Sequence, residues 1–125
     1  MILSLCLAGT LLFTQVDDTC FAAKTHNEKY YQQHWCLSQQ GQTEYRLDDD
    51  TRVDCLTKTH AVEFDFAKKW AESIGQSLHY SRLTNKTAGI VLIVKNHKDV
   101  KYVDHVSTII SHYGLPIKLW IVQGE

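Results

Sequence analysis

Three carboxylates fall on two short runs that read as β-strands. Asp54 stands in the middle of Arg52-Val53-Asp54-Cys55-Leu56, and in residues 61–66 Glu63 and Asp65 alternate with Val62, Phe64 and Phe66. Successive strand side chains point to opposite faces, so Glu63 and Asp65 share one face and the three apolar residues take the other. A hairpin between the two runs would bring Asp54 onto the carboxylate face. Like charges gathered in one place repel, and an oxygen-preferring divalent cation is the usual reason to hold them together. The same alternation also marks the polar side of a solvent-facing edge hairpin, and taken alone it favours that simpler reading.

The residues that follow continue both readings. Residues 67 to about 80 have helical spacing, with Trp70, Ile74 and Leu78 recurring every four residues and Ala67 and Ala71 alongside, so this side should face a core. Lys69, then Glu72 or Ser73, Gln76 and Tyr80 lie along one stripe of that helix, and Lys68 is turned roughly 100° away. Both lysines, at the helix start, read as ordinary solvated residues. Gln76 and Tyr80 read as a local helix-surface pair, or, for Tyr80, as core. Gly75 costs up to ~1 kcal/mol relative to Ala in mid-helix, which a close approach at that point would explain. His60 and His79 lie near this region, although single histidines are more often structural.

These residues need elements to position them. Thr25-His26-Asn27-Glu28 has capping-box spacing and opens a helix that runs to Trp35 or Leu37, with Glu28, Tyr31, Gln32 and Trp35 on one face. Glu28 is then the glutamate of that capping box. Gly41 closes that region, and strands follow at 43–47, 52–56 and 61–66, joined by a turn at Asp48-Asp49-Asp50 and a second at 57–60. After the helix at 67–80, the apolar run 89–94 reads as a strand buried on both faces. A helix over 99–113 turns Val103, Val106, Ile110 and Tyr113 inward, Gly114 stops it, and residues 117–122 form the last strand. The order is α-β-β-β-α-β-α-β, an α/β chain with one mixed sheet, helices on its faces, and the last two strands parallel.

An early helix with a Glu, a β-meander, Asp54 on its second strand, Glu63 on its third and a helix behind it resembles the PD-(D/E)XK nuclease superfamily. Gln76-Ser77-Leu78-His79-Tyr80 matches the Gln-x-x-x-Tyr motif of its recombination-exonuclease branch. The run 54–80, with Trp70-Ala71-Glu72 and Gly75-Gln76-Ser77-Leu78, also resembles small exported bacterial members of this type. The likeness covers most of residues 25–95. It implies a restriction-endonuclease-like mixed sheet with an α-β-β-β-α-β core and a C-terminal α-β extension. It also implies a Mg²⁺ or Mn²⁺ centre that hydrolyses phosphodiester bonds of DNA or RNA. Asp54 and Glu63 would then be metal ligands, Glu28 the assisting helix carboxylate, and Gln76 and Tyr80 contacts to the substrate strand or supports of the site. The family's lysine belongs two residues after the glutamate, where this chain has Asp65, a third ligand or the sign of lost hydrolysis. The positive charge would instead come from Lys69. A nuclease acting on nucleic acid is therefore set against a catalytically silent domain of the same fold that binds a partner, protein or nucleic acid.

The totals limit these readings. A chain of 125 residues, 44% hydrophobic and 22% charged, suits one domain with a real core, and its net charge of −1 gives no basic excess for non-specific nucleic-acid binding. The apolar run 2–13, the polar segment after it and Cys20-Phe21-Ala22 have the shape of a secretory signal peptide cut after Ala22, although no Lys or Arg precedes the run. The alternative is a buried N-terminal strand or helix. Cleavage would leave residues 23–125 as a single exported domain, periplasmic or extracellular, without a transmembrane segment. Its net charge would be +1, and Cys36 and Cys55 would remain as an even pair, bridged or as two buried thiols.

Overall fold

The structure is a computed structural model and describes residues 25–125. The expected signal segment at residues 1–22, with Cys6 and Cys20, lies outside the described residues.

The first helix, α1 (Glu28–Ser38), is capped by Asn27, whose side chain accepts the backbone N–H of Tyr30 at 3.0 Å. The capping box expected from Thr25 is therefore not formed: Asn27 is the better-placed acceptor, and Glu28 becomes the first helical residue, free to turn its carboxyl elsewhere. A meander follows, β1 (Gln42–Arg46), β2 (Arg52–Leu56) and β3 (His60–Phe66), antiparallel throughout. At the first turn Asp49 accepts the N–H of Thr51, and Asp50 pairs with Arg46. A 3₁₀ turn at Ala67–Lys69 leads into α2 (Trp70–Thr84), and β4 (Thr87–Val94) returns parallel to β3. Then α3 (Val100–Tyr113), closed by Gly114 at φ 61°, leads to β5 (Ile117–Gln123), parallel to β4. The sheet runs β1-β2-β3-β4-β5, so neighbours in the sheet are neighbours in the chain.

Helices cover both faces. Ala88, Ile90, Leu92 and Val94 of β4 pack against Trp70, Ile74 and Leu78 of α2 and Val103, Val106 and Ile110 of α3. Val91 and Ile93 face the other way, with Val62 and Phe64, onto Tyr31, Trp35 and Cys36 of α1. Being covered on both sides explains why 89–94 carries no polar alternation. Three residues depart from the expected pattern. Ala71 is exposed, because α2 presents Trp70, Ile74 and Leu78 to one flank and Ser73, Ser77 and Tyr80 to another, which leaves Ala71 outside both. Tyr113 is 70% exposed at the end of α3, and Tyr102 packs inward instead. Gly75 is not closely approached by anything: a Cβ there would meet no atom within 4 Å. No helix among the described residues is long and apolar enough to cross a membrane.

Cys36 and Cys55 form a disulfide, Cα–Cα 5.7 Å, which ties the last turn of α1 to β2 one residue from Asp54. Closing a loop of 19 residues stabilises by roughly 3 kcal/mol on the chain-entropy model. Gly41 lies against this bridge, and a Cβ on it would come within 2.6 Å of Cys55 Sγ and 2.7 Å of Cys36 Sγ.

Two glycines should therefore respond in opposite directions. Gly41→Ala forces an overlap with buried sulfur and should lower stability by about 1–3 kcal/mol. Gly75→Ala fills open space on an exposed helix and should raise it by about 0.5–1 kcal/mol. Urea unfolding of both variants checks the contrast.

Candidate functional site

The pairing of β2 with β3 is short. Cys55 faces Val62 and Leu56 faces Ala61, and beyond them the strands part at Asp54. There the side chain substitutes for the missing strand: Asp54 Oδ2 accepts the backbone N–H of Phe64 at 2.8 Å. This fork turns the Asp54 carboxyl toward the β3 face that carries Glu63 and Asp65.

Both of those residues are only 5% exposed, beneath α2. Asp65 Oδ2 accepts the hydroxyl of the fully buried Ser73 at 3.1 Å. The four carboxyl groups meet as two pairs, Glu63 with Asp54 and Asp65 with Glu28, each in side-chain hydrogen-bond contact. Two carboxyls can bond only if one keeps its proton, and the surroundings select which one. Burial first, then the Asp54 charge, pushes Glu63 up to about 11. Burial first, then the Glu28 charge, pushes Asp65 up to about 7. Asp54 and Glu28 are also raised, each chiefly by burial, but accepting the shared proton pulls both back down. In this state Glu63 and Asp65 are the acids, and Asp54 and Glu28 are the carboxylates.

The α2 residues sort themselves around these pairs. Lys69, exposed at the start of the helix, is the lysine whose charge lowers both Glu28 and Asp65; Lys68 is also exposed. Tyr80 is buried with Val53 and Ala61, and its hydroxyl is held well above the usual tyrosine range by burial and then by Glu63 and Asp54. Gln76 is exposed and lies with Thr51, Gly75, His79 and Tyr80 along a shallow open groove of about 350 Å³. His79 rims that groove, with Nε2 2.7 Å from Asp49 Oδ2. His60 is not near the site, because it begins β3 at the other end and packs edge-on against Trp120.

Three participants escape a reading of the sequence. Ser73 was one of two candidates for its place on the stripe, and only its bond to Asp65 selects it. Gln32, 3% exposed, donates from Nε2 to the carbonyl of Asp54 and to Glu44 Oε2, each at 2.8 Å. Glu44 adds a fifth carboxyl, whose charge raises both Asp54 and Glu28. In Thr43-Glu44-Tyr45-Arg46 it looks like any polar strand residue, and no local signal marks it.

Whether these groups suit a cation can be judged from the donors themselves. All are oxygen, the set that Mg²⁺ and Mn²⁺ prefer over thiolate-seeking metals. Glu63 Oε1 is buried without a hydrogen-bond partner, a lone pair facing no donor. Among the described residues no three His, Cys, Asp or Glu side chains close around one point. The donor set fits a hard divalent cation, with binding coupled to release of the shared protons.

Two of these acids make stability fall with pH. Asp65 ionises at an ordinary value of 3.8 when unfolded and at about 7 when folded, so the folded chain holds the extra proton. Its contribution is lost as pH rises through that window, and Glu63 extends the loss above it. Metal-free protein should lose on the order of 2 kcal/mol between about pH 5 and about pH 8. Glu63→Gln with Asp65→Asn should flatten that slope, as read by urea unfolding across pH.

Set against protein-family models, curated proteins and solved structures, the chain finds no match in any of the three.

Proposed function

We propose that this protein is an exported, Mg²⁺- or Mn²⁺-dependent nuclease that hydrolyses phosphodiester bonds of DNA or RNA at the fork between β2 and β3. The observation that carries the proposal is the side-by-side placement of Asp54 and Glu63, with Glu63 Oε1 buried and unpartnered. Buried acids in contact are costly for folding, and functional sites are where such costs concentrate. The superfamily resemblance enters as analogy, supported by the match between the expected and observed order of elements.

Asp54 and Glu63 are the groups that would hold the cation, with Glu28 and Asp65 able to join once their shared proton leaves. A bound Mg²⁺ or Mn²⁺ supplies polarisation of the scissile phosphate and a more acidic water. Lys69 supplies a positive charge beside Glu28 and Asp65, placed to oppose negative charge that develops on a phosphoryl oxygen. Tyr80 keeps its proton, so its hydroxyl remains a donor. The Gln76 carboxamide is offered along the open groove, where a substrate strand has room. The disulfide suits an oxidising compartment, which supports export.

A second reading is favoured by one specific observation: Asp65 occupies the position of the superfamily lysine. A silent domain of this fold would bind a partner without cutting. Cleavage of a panel of single- and double-stranded DNA and RNA with Mg²⁺ or Mn²⁺ separates the two readings. Asp54→Ala and Glu63→Ala should each abolish cleavage while circular dichroism shows the fold intact. Lys69→Ala should slow it by roughly 10²-fold, and Lys68→Ala should leave it within about twofold. A wild-type protein that cleaves nothing with either metal would hand the site to the silent-domain reading.

A further inference from the structure

Gly75 is a poor helix former in the middle of α2, and no packing contact accounts for it. A Cβ there would meet no atom within 4 Å. Ala71, one turn earlier, is exposed as well. The two leave a stretch of helix main chain almost bare, on the floor of the groove of about 350 Å³. A missing side chain beside open space lets something flat lie directly against the backbone.

The walls carry polar groups that the fold leaves unused. Gln76, exposed, offers a carboxamide with both a donor and an acceptor. Tyr80 is only 7% exposed and lines the groove, and its hydroxyl has no hydrogen-bond partner among the described residues. A buried phenol usually finds one. Glu63 and Asp54 act on that hydroxyl by their charge, so the groove adjoins the carboxylate cluster. Thr51, at the β1–β2 turn, forms the facing wall. Asp49 fixes that wall: one oxygen accepts the N–H and hydroxyl of Thr51, and the other lies 2.7 Å from His79 Nε2 on α2. Charge then limits what can enter. No lysine or arginine lines the groove, and Glu72 places a carboxylate in its wall. A phosphate is repelled there; a neutral, planar group with amino hydrogens to donate is not.

We propose that this groove is a base-selective subsite, which takes one unpaired adenine or cytosine of the strand whose phosphate is cut at the neighbouring centre. The ring lies on the Ala71–Gly75 floor. Adenine and cytosine both carry an amino group beside an unprotonated ring nitrogen, and the Gln76 carboxamide matches that pair with one acceptor and one donor. Glu72, an acceptor only, favours the amino group and repels the carbonyl oxygens of thymine and uracil. A base stacked inside a duplex cannot turn its face to the floor, so the subsite selects single strands. The inference rests on the nuclease reading for its substrate and goes beyond it in naming the bases and the residues that choose them.

Nucleosides test this without phosphate or metal. Nuclear magnetic resonance shifts of the Gly75, Gln76 and Tyr80 amides report occupancy as the metal-free full chain is titrated with adenosine, cytidine or uridine. Adenosine and cytidine should bind in the millimolar range, and uridine about tenfold more weakly or less. Gly75→Ala should weaken adenosine binding about tenfold while raising the urea midpoint, a combination that loss of structure cannot produce. Gln76→Ala, at an exposed position, should weaken it as well and leave the midpoint unchanged. Uridine bound as tightly as adenosine, or wild-type binding by Gly75→Ala, would overturn the proposal. So would shifts of the same amides with N-acetylarginine amide and none with nucleosides, which would make the groove a seat for a basic side chain. A chain that binds no nucleoside yet cleaves with Mn²⁺ loses the subsite and keeps the nuclease. One that binds adenosine in this pattern and cleaves nothing keeps the base site and loses the reaction.

Discussion

A strand buried on both faces is the wrong place for two acids, yet β3 holds Glu63 and Asp65 beneath α2 while Val62 and Phe64 lie beneath α1. An isolated carboxylate cannot be kept there ionised. The rest of the site follows from that constraint. Each acid has a carboxyl partner that can share its proton, Asp54 from β2 and Glu28 from α1. For Asp54 to arrive, β2 has to leave β3 early, and the amide of Phe64, deprived of a strand partner, takes the Asp54 carboxylate instead. Ser73 and Lys69 then complete the surroundings from the helix.

How much of this can be read from the residues depends on whether each determinant is local. The face shared by Glu63 and Asp65, the two-sided burial of 89–94 and the parallel last pair follow from periodicities of two and of about four, which need no partner to be visible. Helix starts and ends are less local. Thr25 and Asn27 both fit a cap, and only the observed bond to Tyr30 decides for Asn27. Tyr113 has inward spacing, but it is the last residue of α3 and its ring stays outside.

The site shows the same division. The positions of Asp54, Glu63 and Lys69 follow from alternation and helical pitch. Those of Gln32 and Glu44 do not, because their significance is a pairwise fact: one amide bridging two strands, and one break in a ladder seen only when β1 lies against β2. Ser73 and Ser77 are buried although the apolar stripe of α2 runs through Trp70, Ile74 and Leu78. A helix lying over carboxylates needs a polar flank on the inside, which hydrophobic patterning reads as the outside.

The strand order has a consequence for how the chain folds. Only the early half of the sheet, β1–β2 and β2–β3, forms from short-range contacts; β3–β4 and β4–β5 are parallel and join residues 27 and 29 apart, pairings that must close long loops and form slowly. The disulfide joins Cys36 and Cys55 within that same early half. The exception is α1. Its Trp35 packs edge-on against Trp120 of β5, and the hydroxyl of Tyr31 accepts the backbone N–H of Glu125, 94 residues away. The first helix can be attached early through its sulfur, but its apolar face is completed only when β5 joins the sheet.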